Sequence, residues 1–327
     1  MTKYSDEWLQ SLRNIILAYN QKRASDPFMM WFKGKEETNF FGDEKERVLS
    51  ILIDARFDQQ TTAKNALTNT QIVIKHGALS KESIDLDKLP LLIPRQHKSA
   101  EDWTELFCSA LPKLHELSRR ITQQSNWDVA DLFVLILNDC KVPYLADKTS
   151  RLAVRWMHEL IPGLITNMQA YEIHIDRLVY RVTSRLGIID PYQDKYYGNG
   201  SPADKKIQSF VQKLFPEQPW IMDEPLWNTG RKASDGGCCF PQDPNCSGCM
   251  FESICPKSFL DIMPDYIGIT TKPAGSDNVC RGSKHSKSPT AKQREFAEFI
   301  AELRKKGIGG REFREKRDQW YREHKED

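Results

Sequence analysis

Five of the chain's eight cysteines lie in one short stretch, CCFPQDPNCSGCMFESIC, residues 238–255. Counted from Cys239, the spacing is Cys239-x6-Cys246-x2-Cys249-x5-Cys255, and Cys238 stands outside this pattern. Four thiolates within 17 residues can converge on one inorganic centre, with the loop wrapped around it. The stretch therefore predicts a metal-binding loop that holds either zinc or an iron–sulfur cluster.

The rest of the sequence disfavours disulfide pairing of these cysteines. The chain starts with MTKYSDEWLQSLRNIILAYNQ, which lacks the basic stretch and apolar core of a signal peptide. No apolar run approaches the roughly 20 residues that are needed to span a bilayer. We therefore expect a cytoplasmic protein, nucleoid-associated if prokaryotic, in which clustered cysteines bind metal. Structural zinc usually takes two short knuckles separated by a dozen or more residues, and that separation is missing here.

The hydrophobic pattern of the chain is helical. Apolar residues recur at three- and four-residue spacing in seven stretches, and strand-like alternation is nearly absent. The stretches are DEWLQSLRNIILAYNQ, GDEKERVLSILIDARF, SAEDWTELFCSALPKLHELSRRI, DVADLFVLILNDC, KTSRLAVRWMHELI, IDRLVYRVTSRLGI and DKKIQSFVQKLF. We predict an all-α fold with roughly seven to ten helices joined by short connections.

Charge is unevenly distributed along the chain. The net charge is only +2, but residues 281–327 carry 14 Lys and Arg against 9 Asp and Glu. A basic tail on a near-neutral body fits contact with a phosphate backbone, and a solvated helix of mixed charge explains the tail equally well. Residues 269–290, which are rich in Ser, Thr, Gly, Pro and Lys, read as a linker to this tail.

The x6-x2-x5 cysteine spacing resembles the [4Fe–4S] loop of the helix-hairpin-helix (HhH-GPD) DNA glycosylases, the superfamily of endonuclease III and adenine-mismatch glycosylase. Trp227, Gly230 and Arg231 resemble the helix that leads into that loop. The resemblance covers roughly residues 45–258. It implies that a [4Fe–4S] cluster serves as a folding device and DNA-facing scaffold, with Cys238 as a bystander or an alternative to Cys239. The implied ligands are Cys239, Cys246, Cys249 and Cys255.

A second segment, HIDRLVYRVTSRLGI at residues 174–188, carries a candidate catalytic carboxylate. It is similar to the family's V-D-T-x-V-x-R-V-x-x-R-L-G segment, and Asp176 matches the catalytic aspartate. From the residues alone, Asp176 also reads as the N-cap of the helix that it precedes. The two roles are compatible, because a carboxylate held at a helix start can stabilise positive charge that develops on a deoxyribose.

The hairpin that carries the family's nucleophile is less well preserved. VPYLADKT, residues 142–149, keeps Pro143, Lys148 and Thr149 of the pattern L-P-G-V-G-x-K-T, but Tyr144 and Ala146 replace its two glycines. The resemblance implies that Lys148 attacks C1′ of the sugar and forms a Schiff base, and that Tyr144 and Thr149 contact DNA. A reactive amine must lose its proton, which burial or a helix N-terminus favours. The rival reading of Lys148 is an ordinary surface lysine of a first helical turn.

Another register of the hairpin is possible around residues 161–163, Ile-Pro-Gly. It places Asn167 at the lysine position, leaves nine residues before Asp176 and keeps no second glycine. We prefer the first register, although its 28-residue separation of Lys148 from Asp176 is about ten longer than the family pattern implies.

An enzyme that acts on a base must flip it out of the duplex and fill the gap. DARFDQQTTAKNAL, residues 54–67, resembles the family segment with an intercalating glutamine, which implies Gln60, or else Gln59, in that role. Polar residues on a turn between helices are the alternative reading. The sequence gives no role to the neighbouring Arg56 and Asp58. Phe28–Trp31 can stack a base but more often such residues belong to a core.

By resemblance the fold is two helical domains with a DNA-binding cleft between them. The predicted division is an N-terminal helix (1–44), a helical barrel with the degenerate hairpin (45–170), the catalytic-aspartate helix with the cluster (171–262), and a linker with a basic helical extension (263–327). We expect a monomeric DNA glycosylase with lyase activity that acts on double-stranded DNA. The alternatives are a glycosylase that uses Asp176 and water, and a non-catalytic iron–sulfur protein that binds DNA.

Overall fold

The computed structural model describes residues 4–23, 43–58, 63–94, 99–139, 141–191, 193–194, 196, 198–231, 237–239, 245–258 and 299. The all-α fold predicted from the sequence is confirmed: 63% of the structure is helical, and the described residues contain only one two-stranded sheet. No helix among them is long and apolar enough to cross a membrane.

Nine α-helices follow one another along the described part of the chain. They are α1 (Asp6–Arg23), α2 (Glu44–Phe57), α3 (Ala63–Lys75), α4 (Ala100–Thr122), α5 (Val129–Val134), α6 (Asp147–Leu160), α7 (Arg177–Arg185), α8 (Pro202–Leu214) and α9 (Asp223–Gly230). Each of the seven predicted helical stretches overlaps one of these helices, and α5 continues as a π-helix over Leu135–Asp139. The helices α3 and α9 lie outside those seven stretches.

Short polar side chains fix the starts of several helices, as their sequences indicate. Asp43, Ser99, Asp128 and Ser201 accept hydrogen bonds from backbone N–H groups in the first turns of α2, α4, α5 and α8. Each bond satisfies a donor that has no partner within its own helix. The segments before these helices therefore enter them at defined points.

Helix α2 is the centre of the core. Its residues from Val48 to Phe57 are all buried, and the helix packs against α3, α4 and α6. A helix with apolar residues all round needs neighbours on every side, which explains this central position. Its buried polar residues then require partners inside the protein. Arg56 donates hydrogen bonds to the carbonyl oxygens of Leu106 at 2.8 Å and Pro143 at 3.1 Å.

A second group of elements surrounds the cysteine stretch. Helices α7 and α9 pack closely at Gly230. A Cβ atom added to Gly230 on α9 would lie only 2.7 Å from the Cβ of Leu178 on α7. The N-terminal segment reaches the same region. The indole of Trp8 donates to the Ile254 carbonyl at 2.8 Å, and the hydroxyl of Tyr4 donates to the Gly187 carbonyl at 2.8 Å. The predicted domain boundaries remain predictions.

A buried ionic network ties α6 to α1 and α9. Arg155 on α6 contacts Glu224 on α9, lies 3.5 Å from Asp223 and forms a further ion pair with Glu159. Arg23 at the end of α1 pairs with Glu159 at 2.9 Å and also contacts Glu224. Lys148 lies in the first turn of α6, so this network fixes the orientation of the helix that carries the candidate nucleophile.

The sheet consists of two short parallel strands that the sequence did not predict. Trp127–Asp128 (β1) pairs with Ile165–Thr166 (β2). The side-chain amide of Asn167 donates to Asp128 at 2.9 Å, and Asn167 adopts a left-handed conformation with φ of 56°. In the rival hairpin register Asn167 would take the lysine position, and here it sits in the turn after β2.

Candidate active site and cysteine cavity

The turn before α6 keeps a glycine-like conformation without glycine. Tyr144 has φ of 66°, and the Leu145 N–H donates to the Val142 carbonyl at 3.1 Å. Proline at the second position and positive φ at the third are features of a type II turn, in which glycine usually holds the third position. The ring of Tyr144 packs edge-to-face on Trp103 at 5.2 Å, and the guanidinium of Arg56 lies 5.8 Å from its centroid. A contact between Tyr144 and DNA remains a prediction.

Thr149 joins this turn to the first turn of α6. Its hydroxyl accepts from the Ala146 N–H at 2.9 Å and donates to the Ala146 carbonyl at 3.1 Å. The residue is 0% exposed. The buried hydroxyl therefore holds the turn together, and a contact between Thr149 and DNA remains a prediction.

Lys148 projects from the first turn of α6 toward two other elements. Its Nζ lies 3.6 Å from Oδ2 of Asp58, the residue that ends α2, and 4.8 Å from the centre of the Trp227 ring on α9. The Lys148 side chain is 28% exposed, whereas that of Asp58 is 6% exposed. The amine is therefore held between a buried carboxylate and an aromatic face while it remains accessible from solvent.

Asp176 is the N-cap of α7, as the sequence predicts. Its Oδ1 accepts from the N–H groups of Leu178 at 2.8 Å and Val179 at 3.1 Å. The residue is half-buried. These two bonds use one carboxylate oxygen and orient the side chain at the positive end of the helix.

Asp58 is the point on which the candidate catalytic groups converge. Burial raises the pKa of Asp58, the charges of Lys148 and Arg231 oppose this rise, and the charge of Asp176 adds to it. Lys148, Asp176 and Arg231 therefore all act electrostatically on one buried carboxylate. They come from α6, from the start of α7 and from the residue after α9. The structure places Lys148 beside Asp58, a residue that the sequence did not single out, and the catalytic roles of Lys148 and Asp176 remain predictions.

Asp147, the first residue of α6, links the starts of α6 and α7 near this site. Nδ1 of His174, two residues before Asp176, lies 3.3 Å from Oδ2 of Asp147, and Nε of Arg151 lies 3.4 Å from Oδ1. Burial alone would raise the pKa of Asp147, but the hydrogen bond with His174 and the charge of Arg151 lower it to about 2. Asp147 therefore stays ionised and holds the two helix starts together.

The predicted intercalating residues, Gln59 and Gln60, lie outside the described residues, as do Phe28–Trp31. The linker and basic extension at 263–327 also lie outside them, apart from residue 299. The roles assigned to these residues therefore remain predictions.

The four predicted ligands and Cys238 line one cavity. It is bounded by Arg185, Cys238, Cys239, Cys246, Cys249, Glu252, Cys255 and Lys257. Backbone bonds shape the loop around it: the N–H groups of Cys238 and Cys239 both donate to the Thr229 carbonyl, at 2.9 and 2.8 Å. The cavity therefore begins directly after α9 and is closed by the turn around Phe251.

Arg185, from the last turn of α7, connects the cavity to the helix of Asp176. Its Nη1 donates to the Cys239 carbonyl, and its own carbonyl accepts from the Ser258 N–H at 3.1 Å. A hydrogen bond from Cys249 and, after the opposing effect of burial, the charge of Arg185 lower the pKa of Cys239 to about 6. The same hydrogen bond raises the pKa of Cys249, and burial raises the pKa of Cys255 and of Cys238, so of these four cysteines only Cys239 has a thiolate-favouring environment without a metal.

The thiols that line the cavity supply enough donors for either kind of centre. A tetrahedral zinc ion takes four thiolates with Zn–S bonds of about 2.3 Å, and in a [4Fe–4S] cluster each iron binds its own thiolate. Within the part of the chain that the structure describes, no three His, Cys, Asp or Glu side chains are grouped so as to hold one metal ion. The cluster therefore remains a prediction.

The sequence assigns no role to Asp58. Its position beside Lys148 and near Arg231 is a tertiary relationship that no local sequence pattern indicates. Trp227 was noted only as part of a lead-in helix, and it also forms the aromatic surface for Lys148 and Arg231, whose Cζ lies 5.0 Å from its centroid.

No model of a known protein family matches the chain, and no curated protein sequence matches it.

Proposed function

We propose that this protein is a DNA glycosylase with associated lyase activity, which flips a damaged, mismatched or modified base out of double-stranded DNA and excises it. One observation carries the proposal: Nζ of Lys148, in the first turn of α6, lies 3.6 Å from the buried carboxylate of Asp58 while its side chain stays partly exposed to solvent. In this proposal the amine of Lys148 supplies the nucleophile, and Asp176, held at the start of α7, supplies the charge stabilisation that glycosidic cleavage needs.

In this proposal each residue has a defined task. Lys148 attacks C1′ of the deoxyribose and displaces the base, and the resulting Schiff base allows strand scission by elimination. Asp176 stabilises the positive charge on the sugar as the glycosidic bond breaks. The partial exposure of the Lys148 side chain, 28%, supports access by a flipped nucleotide.

We further propose that Cys239, Cys246, Cys249 and Cys255 hold a [4Fe–4S] cluster. The cluster would cross-link the loop that follows α9 and thereby fix α7 through Arg185, whose guanidinium reaches the Cys239 carbonyl. Support comes from the shared cavity and from the thiol chemistry of its lining. The corresponding setting is a cytoplasmic monomer, nucleoid-associated if prokaryotic.

A panel of duplexes, each with one lesion, mismatch or abasic site, tests this function. The protein is incubated with each duplex with and without borohydride, beside Lys148→Gln and Asp176→Asn. We expect base release on at least one duplex and borohydride trapping that Lys148→Gln abolishes. Base release without trapping would favour a glycosylase that uses water. Tight duplex binding without release or trapping would favour a non-catalytic protein.

A further inference from the structure

We propose that Asp58 is a catalytic carboxylate that accepts a proton from Lys148 and returns it to the departing base. This inference rests on the proposed function, because it assigns a role within the same reaction. Its basis is the 3.6 Å separation between Nζ of Lys148 and Oδ2 of Asp58. Catalytic hydrogen bonds are often this long in a free enzyme and shorten when substrate is bound.

The backbone and burial of Asp58 give the carboxylate a fixed position. Its N–H donates to the Asp54 carbonyl at 2.9 Å and ends α2, while its side chain is 6% exposed. Trp227 limits the other side of the amine, with Nζ 4.8 Å from its ring centroid. Lys148 therefore reaches a single protein carboxylate among the described ion pairs, and that carboxylate is almost inaccessible to water.

The charged groups around Asp58 come from four elements. Lys148 on α6 and Arg231 after α9 are cationic, whereas Asp176 at the start of α7 and Asp54 on α2 are acidic. Burial and the charge of Asp176 favour the protonated form of Asp58, and the two cations favour the ionised form; Asp54, whose own pKa is raised to about 8, is mostly protonated near neutral pH. A carboxyl group balanced in this way can take up a proton and release it again during one reaction.

Asp176 is less suited to this proton transfer. Its Oδ1 already accepts two backbone hydrogen bonds at the start of α7, so one of its oxygens is occupied and its position is fixed. A carboxylate held at a helix start suits the stabilisation of positive charge on the sugar. The structure thus separates two tasks between two carboxylates: charge stabilisation by Asp176 and proton transfer by Asp58.

The step is balanced in atoms and electrons. The ammonium of Lys148 gives one proton to the Asp58 carboxylate and becomes a neutral amine. The nitrogen lone pair forms a bond to C1′ while the bond from C1′ to the base breaks, and the electron pair of that bond leaves with the base. The carboxylic acid of Asp58 then protonates the base, which regenerates the carboxylate and leaves a protonated secondary amine on C1′.

The test measures single-turnover base release and borohydride trapping over a range of pH, on a duplex with a base that the wild-type protein excises and on a duplex with one abasic site. Wild-type protein, Asp58→Asn, Asp58→Glu and Lys148→Gln are compared, and duplex binding and thermal unfolding are recorded for each. We expect Asp58→Asn to bind DNA normally but to trap roughly 100-fold more slowly near neutral pH. Its rate should recover toward alkaline pH, where the lysine loses its proton without help.

The outcomes separate this inference from the proposed function. If wild-type protein does not trap, the lyase function fails and the role of Asp58 fails with it. If wild-type protein traps and Asp58→Asn traps equally fast or faster with the same pH profile, only the role of Asp58 is overturned. Should Asp58→Asn not fold, Asp58→Glu decides. It keeps the carboxylate and should retain the wild-type pH profile at a lower rate, and a profile that rises only toward alkaline pH would overturn the inference.

Discussion

Tyr144 adopts a left-handed backbone conformation, with φ of 66°, and its ring packs edge-to-face on Trp103 with centroids 5.2 Å apart. A non-glycine residue in such a conformation costs roughly 1–3 kcal/mol unless its surroundings hold it there. The aromatic contact and the nearby guanidinium of Arg56 provide that hold. The hairpin turn before Lys148 is thus maintained by side-chain packing where glycine usually maintains it.

The strain at Tyr144 predicts that a glycine variant is more stable than an alanine variant. Tyr144→Ala and Tyr144→Gly both remove the ring, but only glycine also removes the left-handed strain. We therefore expect both variants to be less stable than wild type and the glycine variant to exceed the alanine variant by about 1 kcal/mol. Urea unfolding measures the difference. An alanine variant as stable as the glycine variant would show that the turn is unstrained.

Substitutions at the two adjacent cysteines test the ligand assignment. The thiol of Cys238 donates to the Gly248 carbonyl at 3.5 Å, whereas Cys239 has the thiolate-favouring contacts with Cys249 and Arg185. We expect Cys238→Ser to retain the brown colour, iron and sulfide of wild-type protein, and Cys239→Ser to lose most of each. Equal losses would make Cys238 a ligand as well. A colourless wild-type protein with stoichiometric zinc would refute the cluster.

The helical fold was predictable because apolar periodicity is visible in the sequence. Helix α3 is an exception, because some of its buried residues are polar. In AKNALTNTQIVIK the buried face includes Asn69 and Thr70. Asn69 exchanges hydrogen bonds with the backbone of Ile93, and the hydroxyl of Thr70 donates to Asp54 at 2.7 Å. Polar residues that are satisfied by distant partners look like surface residues in a sequence, so the periodicity of this helix was hidden.

The site was predictable only in part for a similar reason. Asp176 is recognisable as a cap from its local sequence, and the hydrogen bonds to Leu178 and Val179 confirm that role. Asp58 looks like an ordinary polar residue at the end of α2. Its importance comes from a contact with Lys148, 90 residues later, and no local pattern records such a contact.

The ionic network between α1, α6 and α9 predicts a large loss on removal of Arg155. The Arg155 side chain is 2% exposed, and Arg155→Met would leave Asp223 and Glu224 with one buried cation fewer. We expect the free energy of unfolding to fall by about 3–5 kcal/mol at neutral pH. Arg119→Met is the control, because its partner Glu116 and Arg119 itself are about half exposed and such pairs contribute at most about 1 kcal/mol.

Acid should reduce the defect of Arg155→Met. Burial would raise the pKa of Glu224, but the charges of Arg155 and Arg23 lower it in the wild type. Stability from this pairing is present above the usual pKa of a glutamate and is lost as the pH falls through the lowered value. The gap between wild type and variant should therefore narrow on acidification. A gap that is independent of pH would indicate lost packing instead of lost charge pairing.

The buried Asp54 predicts a change of stability in the opposite direction. Burial, opposed by the hydrogen bond from Thr70 and reinforced by the charge of Asp58, raises the pKa of Asp54 to about 8. Because the folded state holds this proton more tightly, the stabilisation is complete below the usual pKa of 3.8 and is lost as the pH rises toward 8. One such group changes the free energy of unfolding by at most about 1.4 kcal/mol per pH unit.

The variant Asp54→Asn tests this dependence, because it keeps an acceptor for Thr70 and cannot ionise. Its stability, measured by urea unfolding at each pH, should decline less between pH 5 and 8 than that of wild type. Parallel profiles for the two proteins would mean that Asp54 is already ionised in the folded state, and would place a second buried negative charge beside Asp58.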